Sequence, residues 1–485
     1  MAFPNREISV NKIDALRWEI PVGAFPGMHV PAIIFASDAL MTKIREDRTL
    51  IQAAGVATLP GVIEKVVVLP DAHEGYGFPI GGVAALDCET GGISPGGIGY
   101  DINCGVRVLR TNLTAKEVKP HIPELLDEMF ENVPSGVGSK AKLRIDRANI
   151  NEVMERGSEW AVEQGFGTKK DLEHTEEGGR MKAADSHAVS EDAKKRGMPQ
   201  CGSLGAGNHF LEIQKVDRVF GDAETAKAFG IETGTDQVTV MIHTGSRGLG
   251  HQVCSDYLRK METEYPQLAS KLPDRELVYA PAGSHLAEEY LGAMSAAANF
   301  AWANRQLITH WVRESFQKVF RRDADSLGLE LIYDVCHNVC KVEEHNGRKC
   351  FVHRKGATRA FPKGRPELSH DYMHIGQPVL LPGNMGTASY ILVGQEKAMT
   401  ETFGSTAHGA GRVKSRHAAI AAHRGSDVKA KLAEMGIIVR CQSLEVVAEE
   451  APDAYKDIDE VARVSHEAGI ATRVVRLVPM GVVKG

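Results

Sequence analysis

Short runs of β-branched and other apolar residues recur along the chain, and each predicts a buried strand. The clearest runs cover residues 62–69, 83–86, 106–109, 238–243 and 329–335. Pro70 and Asp71 follow the first of them, so we expect that strand to end there in a loop.

Other segments carry apolar residues at helical spacing. These segments are 36–47, 114–131, 149–164 and 284–320. The first has Ser37 as a candidate N-cap, and the last is the longest, interrupted only by Gly292. Residues 168–200 are polar and charged with little periodicity, so we expect a mobile insertion or lid there.

Strands and helices are mixed along the sequence, but their spacing does not suit a regular βαβ array. The chain contains no internal repeat, low-complexity tract or flexible linker. We therefore predict a mixed α/β (α+β) fold in which residues 1–485 form one large domain. Motifs from distant segments then converge on one place.

Composition narrows the function classes only slightly. The chain has 485 residues, of which 43% are hydrophobic and 25% charged, which suits a large core and argues against long-range disorder. The net charge of −6, from 57 basic and 63 acidic residues, gives no sign of a nucleic-acid partner. If RNA binds, a local basic patch must bind it.

The cysteine count and the hydropathy pattern point to the cytoplasm. Eight cysteines in a chain of this length do not make a dense disulfide framework. The spacing of Cys336 and Cys340 matches one helical turn, but a zinc ribbon needs a second pair, so we interpret them as structural. The first ten residues lack the pattern of a secretory leader, and no apolar run is long enough for a transmembrane helix.

Four motifs place histidine, cysteine or aspartate beside turn-forming residues. Asp101 and Cys104 are three apart in G-Y-D-I-N-C-G-V-R, and His209 follows a glycine loop. His243 and His337 each end an apolar strand. Singly, such residues are more often buried cysteines or strand-end histidines. Together they favour a two-metal site for phosphoryl chemistry, because five ligands exceed one tetrahedral site and a thiolate can bridge two ions.

The sharpest motif is S-T-A-H-G-A-G-R, in which His408 is flanked by small residues. Backbone N–H groups near Gly409 and Gly411 could cradle a phosphate, and Arg412 could neutralise its charge. An open imidazole can attack phosphorus and form an N–P bond. The alternative is a histidine that only hydrogen-bonds locally in a glycine-rich turn.

A second loop of small residues, L-P-G-N-M-G-T-A-S-Y from Leu381, offers further backbone donors and Ser389. Neither loop is a Walker A sequence, because no G-K-[ST] follows. Basic residues accompany these motifs, and together they could follow a nucleic-acid backbone, although any one alone is typical of a solvated face. They are Arg247, His353, Arg354, Lys355, Arg359, Arg412, Lys414 and Arg416.

The motifs together resemble the RtcB family of RNA-splicing ligases, in family order from about residue 70 to the last residue. The matching strings are P-D-A-H-E-G-Y-G-F-P-I-G-G-V from Pro70, G-Y-D-I-N-C-G-V-R from Gly99, G-A-G-N-H-F-L-E from Gly205, H-T-G-S-R-G-L-G from His243, D-V-C-H-N from Asp334, H-R-K-G-A-T-R-A from His353, P-G-N-M-G-T-A-S-Y from Pro382, H-G-A-G-R from His408, and the terminal V-K-G. The resemblance implies a single domain with mixed sheets around a central metal and nucleotide cleft.

The resemblance also implies roles for individual residues. Asp101, Cys104 and His209 would hold one Mn²⁺, while Cys104, His243 and His337 would hold a second. His408 resembles the nucleophile that takes GMP from GTP, and Asp71 the carboxylate that orients it. The positions that match the guanosine nucleotide site are Asn208, Phe210, Glu212, Asn338, Pro382, Gly383, Asn384, Met385, Ser389, Gly409, Ala410, Gly411, Tyr455 and Lys484. Arg247, Lys355 and Arg412 match basic positions near the phosphates or RNA.

The activity that the resemblance implies is ligation of an RNA 3′-phosphate or 2′,3′-cyclic phosphate end to a 5′-hydroxyl end, in tRNA splicing or RNA repair. Its substrates would be tRNA halves or cleaved RNAs, and an archease-like activator is a candidate partner. Two features depart from the family pattern. Ala407 stands where many members carry cysteine, and residues 168–200 match no family segment.

Two other functions stay open at this point. A metal-dependent phosphoesterase or nuclease would use the same ligands without a nucleophilic histidine or a guanine pocket. A non-catalytic RNA-binding subunit would bind RNA without ligating it.

Overall fold

Two large sheets and many helices form the part of the chain that the computed structural model describes, residues 8–221 and 223–485. Residues 1–7 lie outside the described residues. They belong to the first ten residues, in which the sequence predicts no secretory leader. The strands are β1 (Asn11–Lys12), β2 (Arg17–Ile20), β3 (Ala32–Phe35), β4 (Val62–His73), β5 (Ile80–Asp87), β6 (Gly92–Ile93), β7 (Gly105–Thr114), β8 (Phe210–Val219), β9 (Gln237–Thr244), β10 (Ala280–Pro281), β11 (Glu330–Cys336), β12 (Asn338–His345), β13 (Arg348–Lys355), β14 (Ala357–Arg359), β15 (Pro378–Leu381), β16 (Ser389–Gly394), β17 (Ser405–Ala407), β18 (Ile438–Cys441) and β19 (Ala471–Lys484).

The α-helices lie on both sheets and between them. They are α1 (Asp38–Ile44), α2 (Thr49–Val56), α3 (Ala115–Val118), α4 (Ile122–Asn132), α5 (Asn149–Arg156), α6 (Ser158–Glu163), α7 (Lys169–Glu173), α8 (Glu191–Gly197), α9 (Ala223–Ala228), α10 (Arg247–Glu264), α11 (Pro266–Ala269), α12 (His285–Phe320), α13 (Glu396–Thr402), α14 (Arg416–Ala422), α15 (Gly425–Glu434), α16 (Leu444–Glu449) and α17 (Ile458–Glu467). In the described ranges, none of them is both long enough and apolar enough to span a bilayer.

The first sheet has the strand order β1-β2-β3-β4-β5-β13-β12. Its pairs are antiparallel except for β3 and β4, which run parallel because α1 and α2 cross between them. All five predicted strands are present, but the predicted end of the first was wrong. Strand β4 continues through Pro70 and Asp71 to His73, and its register against β5 shifts after Val68. Asp71 is therefore a fully buried strand residue.

The second sheet has the order β11-β7-β9-β8-β19-β16-β15, and β18 pairs in parallel with β19. It curls until β15 lies beside β11, so that it is nearly a closed barrel. Helix α12 lies against β9 and carries a long stretch of buried residues. Gly292 does not interrupt this helix; a side chain there would collide with Asp185, since an added Cβ would lie 2.9 Å from that residue's Cβ.

Residues 168–200 contain α7 and α8 and make buried ionic contacts. Asp171 pairs with Arg313 of α12 at 2.7 Å, and Glu176 pairs with Lys341 of β12 at 2.5 Å. These contacts join the segment to α12 and to β12. Its polar sequence therefore reflects buried ion pairs as well as solvated surface. The mobility predicted for this segment stays a prediction.

All eight cysteines are free thiols. Cys336 and Cys340 do not lie on a helix, because Cys336 ends β11 and Cys340 lies in β12. Both side chains are fully buried in the same apolar cluster, in keeping with a structural role.

Candidate active site

Four strand ends bring the predicted metal ligands together. In the register of the second sheet, Cys336 pairs with Gly105, Gly105 with Thr244, and His243 with Phe210, so the ends of β7, β8, β9 and β11 lie at one edge of the sheet. Asp101 and Cys104 lie in the turn before β7, and His209 directly precedes β8. His243 lies in β9 and His337 between β11 and β12. The sheet topology thus converts distant motifs into one cluster.

The five side chains form two ligand groups that share a sulfur atom. One group is Asp101, Cys104 and His209, and the other is Cys104, His243 and His337. Cys104 Sγ lies 3.4 Å from His209 Nε2 and 3.3 Å from His243 Nε2. His209 Nε2 lies 2.9 Å from an Asp101 oxygen, and the Nε2 atoms of His243 and His337 are 3.4 Å apart.

Burial sets the protonation of this cluster. It lowers the pKa of His243 and of His337 well below the ordinary value, so both rings are neutral and carry a free lone pair. Burial also raises the pKa of the Cys104 thiol well above its usual range. At Asp101 burial raises the pKa, but the neighbouring His209 outweighs it and brings the pKa down to about 2. Carboxylate, thiol and neutral imidazoles fit divalent transition metals.

Two neighbouring residues of α12 hold the ligand-bearing loops in place. Arg305 donates to the carbonyl oxygens of Asn103 (2.8 Å) and Thr244 (2.9 Å) and forms a two-point contact with Asp334. Asn304 donates to the carbonyl oxygen of Gly245 at 3.1 Å. No sequence motif points to either residue, although consecutive polar residues inside a long buried helix are a usable signal.

His408 follows β17 and its ring is oriented by Asp71. One carboxylate oxygen of Asp71 accepts from the His408 backbone N–H at 2.9 Å and lies 2.5 Å from His408 Nδ1. Burial raises the pKa of Asp71, but the charge and hydrogen bonds of His408 outweigh it and keep that pKa below its ordinary value. When the ring is neutral, an ionised Asp71 accepts the Nδ1 proton and the Nε2 lone pair is free.

The loop after His408 is built for close backbone contact. Gly411 has φ +73°, and an added Cβ there would lie 2.0 Å from the Asp71 carbonyl oxygen. Ala410 N–H donates to the Pro382 carbonyl oxygen at 3.1 Å, which joins the two small-residue loops. The His408 ring also lies 4.8 Å, centroid to centroid, from the ring of His337. The candidate nucleophile and the candidate metal cluster are therefore neighbours.

Lys456 is a buried cation near Asp71 that the sequence analysis missed. Its ammonium group donates to the Ala72 carbonyl oxygen, and the backbone N–H of Lys456 donates to Gly411 O at 2.9 Å. Burial lowers its pKa to about 8, while the charge of Asp71 acts in the opposite direction. The sequence signal for Lys456 was its position directly after Tyr455, a residue that the family resemblance assigns to the guanosine site.

Several residues of the predicted guanosine set form a second buried polar cluster. Lys484 Nζ lies 3.3 Å from a Glu450 oxygen and 5.6 Å from the Phe210 ring centre. Tyr455 donates to the same carboxylate. Glu450 was missed because it lies in no recognised motif, yet its carboxylate joins Lys484, Tyr455 and Arg412.

Glu212 and Ser389 belong to this cluster through Gln214, another residue that was missed. The Gln214 amide donates to Glu212 at 2.6 Å and to Ser389 Oγ at 3.1 Å. Ser389 Oγ in turn accepts from the Gly383 backbone N–H at 3.0 Å. Burial raises the pKa of Glu212 to about 8, although Gln214 and Lys484 favour its ionised form.

The remaining predicted nucleotide residues lie around these clusters. Asn384 donates to the Pro452 carbonyl oxygen, Met385 is buried in the core, and Asn208 is half-buried beside His209. Asn338 lies on the metal side instead. Its amide donates to Asp101 O and accepts from the Gly356 N–H, so it braces the metal-binding turn.

The three predicted phosphate or RNA contacts are engaged inside the protein. Lys355 is buried and donates to the carbonyl oxygens of Tyr76 and Gly96, and burial lowers its pKa to about 8. Arg412 pairs with Glu450 at 2.9 Å. Arg247 is half-buried and donates to Ser203 Oγ at 3.3 Å.

Comparison with known proteins gives one consistent family. Residues 52–485 match the family model described as tRNA-splicing ligase RtcB. Three similar proteins carry that same name. The one from Thermococcus kodakarensis is 58% identical over 99% of both chains. Those from Pyrobaculum aerophilum and Methanococcus maripaludis are 55% and 54% identical over at least 98% of each chain.

Proposed function

Because the chain belongs to the RtcB family of tRNA-splicing ligases, and is by that membership an RNA ligase, we propose that it uses GTP and two Mn²⁺ ions to join RNA 3′-phosphate or 2′,3′-cyclic phosphate ends to 5′-hydroxyl ends. The observation that carries the proposal is the hydrogen bond between Asp71 and His408 Nδ1, at 2.5 Å. In the neutral ring this bond selects the tautomer with its proton on Nδ1, so that Nε2 keeps its lone pair beside the metal-ligand cluster, as nucleophilic attack requires.

In the first step His408 Nε2 attacks the α-phosphorus of GTP. An N–P bond forms, the bond to the β-phosphate oxygen breaks, and pyrophosphate leaves. Positive charge develops on the ring, and Asp71 balances it through Nδ1. The N–H groups of Gly409 and Ala410 donate to Asp71 and to the Pro382 carbonyl oxygen, so a phosphate cradle here would need them to exchange these partners for phosphate oxygens.

In the second step an oxygen of the RNA 3′-phosphate attacks the same phosphorus, and the N–P bond to His408 breaks. A 2′,3′-cyclic phosphate must first be opened by hydrolysis. In the third step the 5′-hydroxyl oxygen attacks the activated 3′-phosphorus, the phosphodiester forms, and GMP leaves. Ions held by Asp101, Cys104, His209, His243 and His337 would supply Lewis-acid neutralisation of the phosphate charge.

The buried polar cluster at the carboxyl end of the chain suits guanine. Guanine offers acceptors at O6 and N7 and a donor at N2. The Lys484 ammonium and the Glu212 carboxyl are a complementary donor and acceptor, and the adjacent Phe210 ring offers an apolar contact. Natural RNA substrates, an archease-like activator and a cytoplasmic location stay predictions.

Incubation with α-labelled GTP and Mn²⁺ tests the proposed function against the phosphoesterase alternative. A ligase of this type takes up a label that is acid-labile and alkali-stable, because a phosphoramidate bond has those properties. Labelling should require the metal ion. A protein that hydrolyses phosphoesters under these conditions without ever taking up label would support the alternative instead.

Changing Lys484 to Met tests the guanine cluster. We expect the KM for GTP in guanylylation to rise about 10- to 100-fold, since a charged hydrogen bond contributes roughly 1.5–3 kcal/mol. Discrimination against ATP should fall with it, because adenine lacks the O6 acceptor. The control is Lys194→Met, which removes another largely buried lysine, one paired with Glu191 at 3.4 Å. An unchanged KM in Lys484→Met would exclude this lysine from guanine recognition.

A further inference from the structure

Two tyrosines from the glycine-rich motifs lie at the surface and have no part in the mechanism above. The ring of Tyr76 meets that of Tyr100 edge-on, with centroids 6.2 Å apart. Tyr100 stacks on the imidazole of His251, with centroids 4.8 Å apart and an interplanar angle of 28°. Tyr76 is 65% exposed and His251 is also exposed. We refer to Tyr76, Tyr100 and His251 as the aromatic row.

The loop that carries Tyr76 is held from below by buried side chains. Gln52 bonds both backbone groups of Gly75, at 3.0 Å and 2.7 Å, and Lys355 donates to the Tyr76 carbonyl oxygen. Gly77 has φ +67°, and an added Cβ would lie 2.8 Å from the Glu276 carbonyl oxygen. The backbone of this loop is thus held in place, while the Tyr76 ring is exposed to solvent. Such an exposed ring contributes little to folding, and a fixed loop holds it where it can contact a ligand.

The aromatic row begins beside the reacting groups. Tyr100 directly precedes the metal-ligand candidate Asp101. Lys355, which anchors Tyr76, directly precedes Gly356, where an added Cβ would lie 3.1 Å from His408 Cε1. The aromatic row therefore starts next to the candidate nucleophile and the candidate metal cluster and extends from them to the surface.

A cation borders the metal site near the row. Arg247 begins α10 four residues before His251, and it directly follows Ser246, whose backbone N–H donates to Asp101 at 3.1 Å. Arg247 also borders the loop that leads to His209, since an added Cβ on Gly205 would lie 2.2 Å from its guanidinium. Aromatic rings beside a cation are the combination that binds unpaired nucleotides.

We propose that the aromatic row is a stacking platform for an unpaired base of the RNA, one near the end that reacts. This rests on the proposed function, because it assumes an RNA end at His408 and the metal cluster. The Tyr76 ring supplies the exposed face, while Tyr100 and His251 fix its orientation. Stacking tolerates any base, so the platform would position RNA ends without selecting a sequence.

Binding of short single-stranded RNAs to the full chain in Mn²⁺ without GTP, followed by fluorescence anisotropy, tests the platform. Tyr76→Ala should weaken binding about tenfold, whereas Tyr76→Phe should bind like the unaltered protein, because stacking needs the ring and not the hydroxyl. The control is Val22→Ala, which removes an exposed apolar side chain outside the row and should leave binding unchanged.

Two arms identify the strand that stacks. One RNA carries the 3′-phosphate and the other the 5′-hydroxyl, and each is also made with an abasic site near its end. The strand that uses the platform should lose affinity in Tyr76→Ala only when its base is present. Equal affinity of Tyr76→Ala and the unaltered protein for both intact RNAs would overturn the proposal and leave the row to a protein partner. An equal loss in Tyr76→Phe and Tyr76→Ala would also overturn it.

The RNA-binding test of the aromatic row can fail independently of the guanylylation test of the proposed function. Guanylylation by α-labelled GTP without RNA should be the same in Tyr76→Ala as in the unaltered protein, since the ring lies outside the nucleotide cluster. A chain that takes up no label refutes the proposed mechanism, whatever the anisotropy shows. A chain that labels normally and shows no effect of Tyr76→Ala on RNA binding refutes only the platform.

Discussion

Replacing Asp71 with Asn is expected to slow guanylylation of the protein about 10³-fold while the fold stays intact. Asn has the same size, and its oxygen can still accept from the backbone N–H groups of His408 and Gly409. It carries no negative charge, however, so nothing balances the positive charge that develops on the imidazole as Nε2 bonds to phosphorus. The measurement is the initial rate of label uptake from α-labelled GTP.

The matched control is Asp217→Asn. Asp217 makes a surface ion pair with Arg476 at 2.7 Å. The same chemical change there should leave the rate of label uptake unchanged. It should alter the free energy of unfolding by no more than about 1 kcal/mol. An Asp71→Asn protein that melts like the control and labels at the original rate would show that His408 works without its carboxylate partner.

Replacing Cys104 with Ser should remove binding of both metal ions together. The Cys104 sulfur is the atom common to the two ligand groups, so its loss leaves each group incomplete. We expect Mn²⁺ affinity to fall about 100-fold or more, as measured by the free-ion electron paramagnetic resonance signal during titration of metal-free protein. Cys350→Ser is the control, because that thiol is also fully buried but lies in another cluster. Retention of two tightly bound ions in Cys104→Ser would refute the bridging thiolate.

The same site should release a proton when it binds metal. Burial, together with the charge of Asp101, raises the pKa of the Cys104 thiol, so the thiol is protonated at neutral pH and must lose its proton to become a ligand. Mn²⁺ affinity should therefore rise with pH across the neutral range, with about one proton released per chain. Calorimetry in buffers of different ionisation enthalpy measures that number, and a value of zero would contradict the assignment.

The sequence predicted the most apolar strands but not their bounds. Apolar runs predicted five strands, and each is present, because burial on both faces leaves a continuous apolar pattern. Asp71 was assigned to a loop, since Pro70 and a carboxylate are rare inside strands. The contacts that retain it in β4 are the hydrogen bonds from His408 and Gly409, more than 300 residues away in the chain. No local pattern contains such a contact.

For the candidate site, sequence motifs pointed to residues that the structure brings together, and they missed the residues that support them. His408 and the five ligand candidates are conspicuous because glycine-rich turns surround them. Asn304, Arg305, Glu450 and Lys456 lie in helices or ordinary loops, and their importance comes only from the partners that folding gives them. The charge of Lys355 suggested phosphate binding. In the structure the Lys355 ammonium group is buried and donates to the carbonyl oxygen of Gly96.

The most direct test of the account is to locate the nucleotide on the protein. After incubation with GTP and Mn²⁺, peptide mapping by mass spectrometry under alkaline conditions should find GMP on His408, and phosphorus NMR of the adduct should identify Nε2 as the bonded atom. His408→Ala should carry no adduct. GMP on another residue, or a His408→Ala protein that labels as before, would contradict the claim that the imidazole held by Asp71 is the nucleophile.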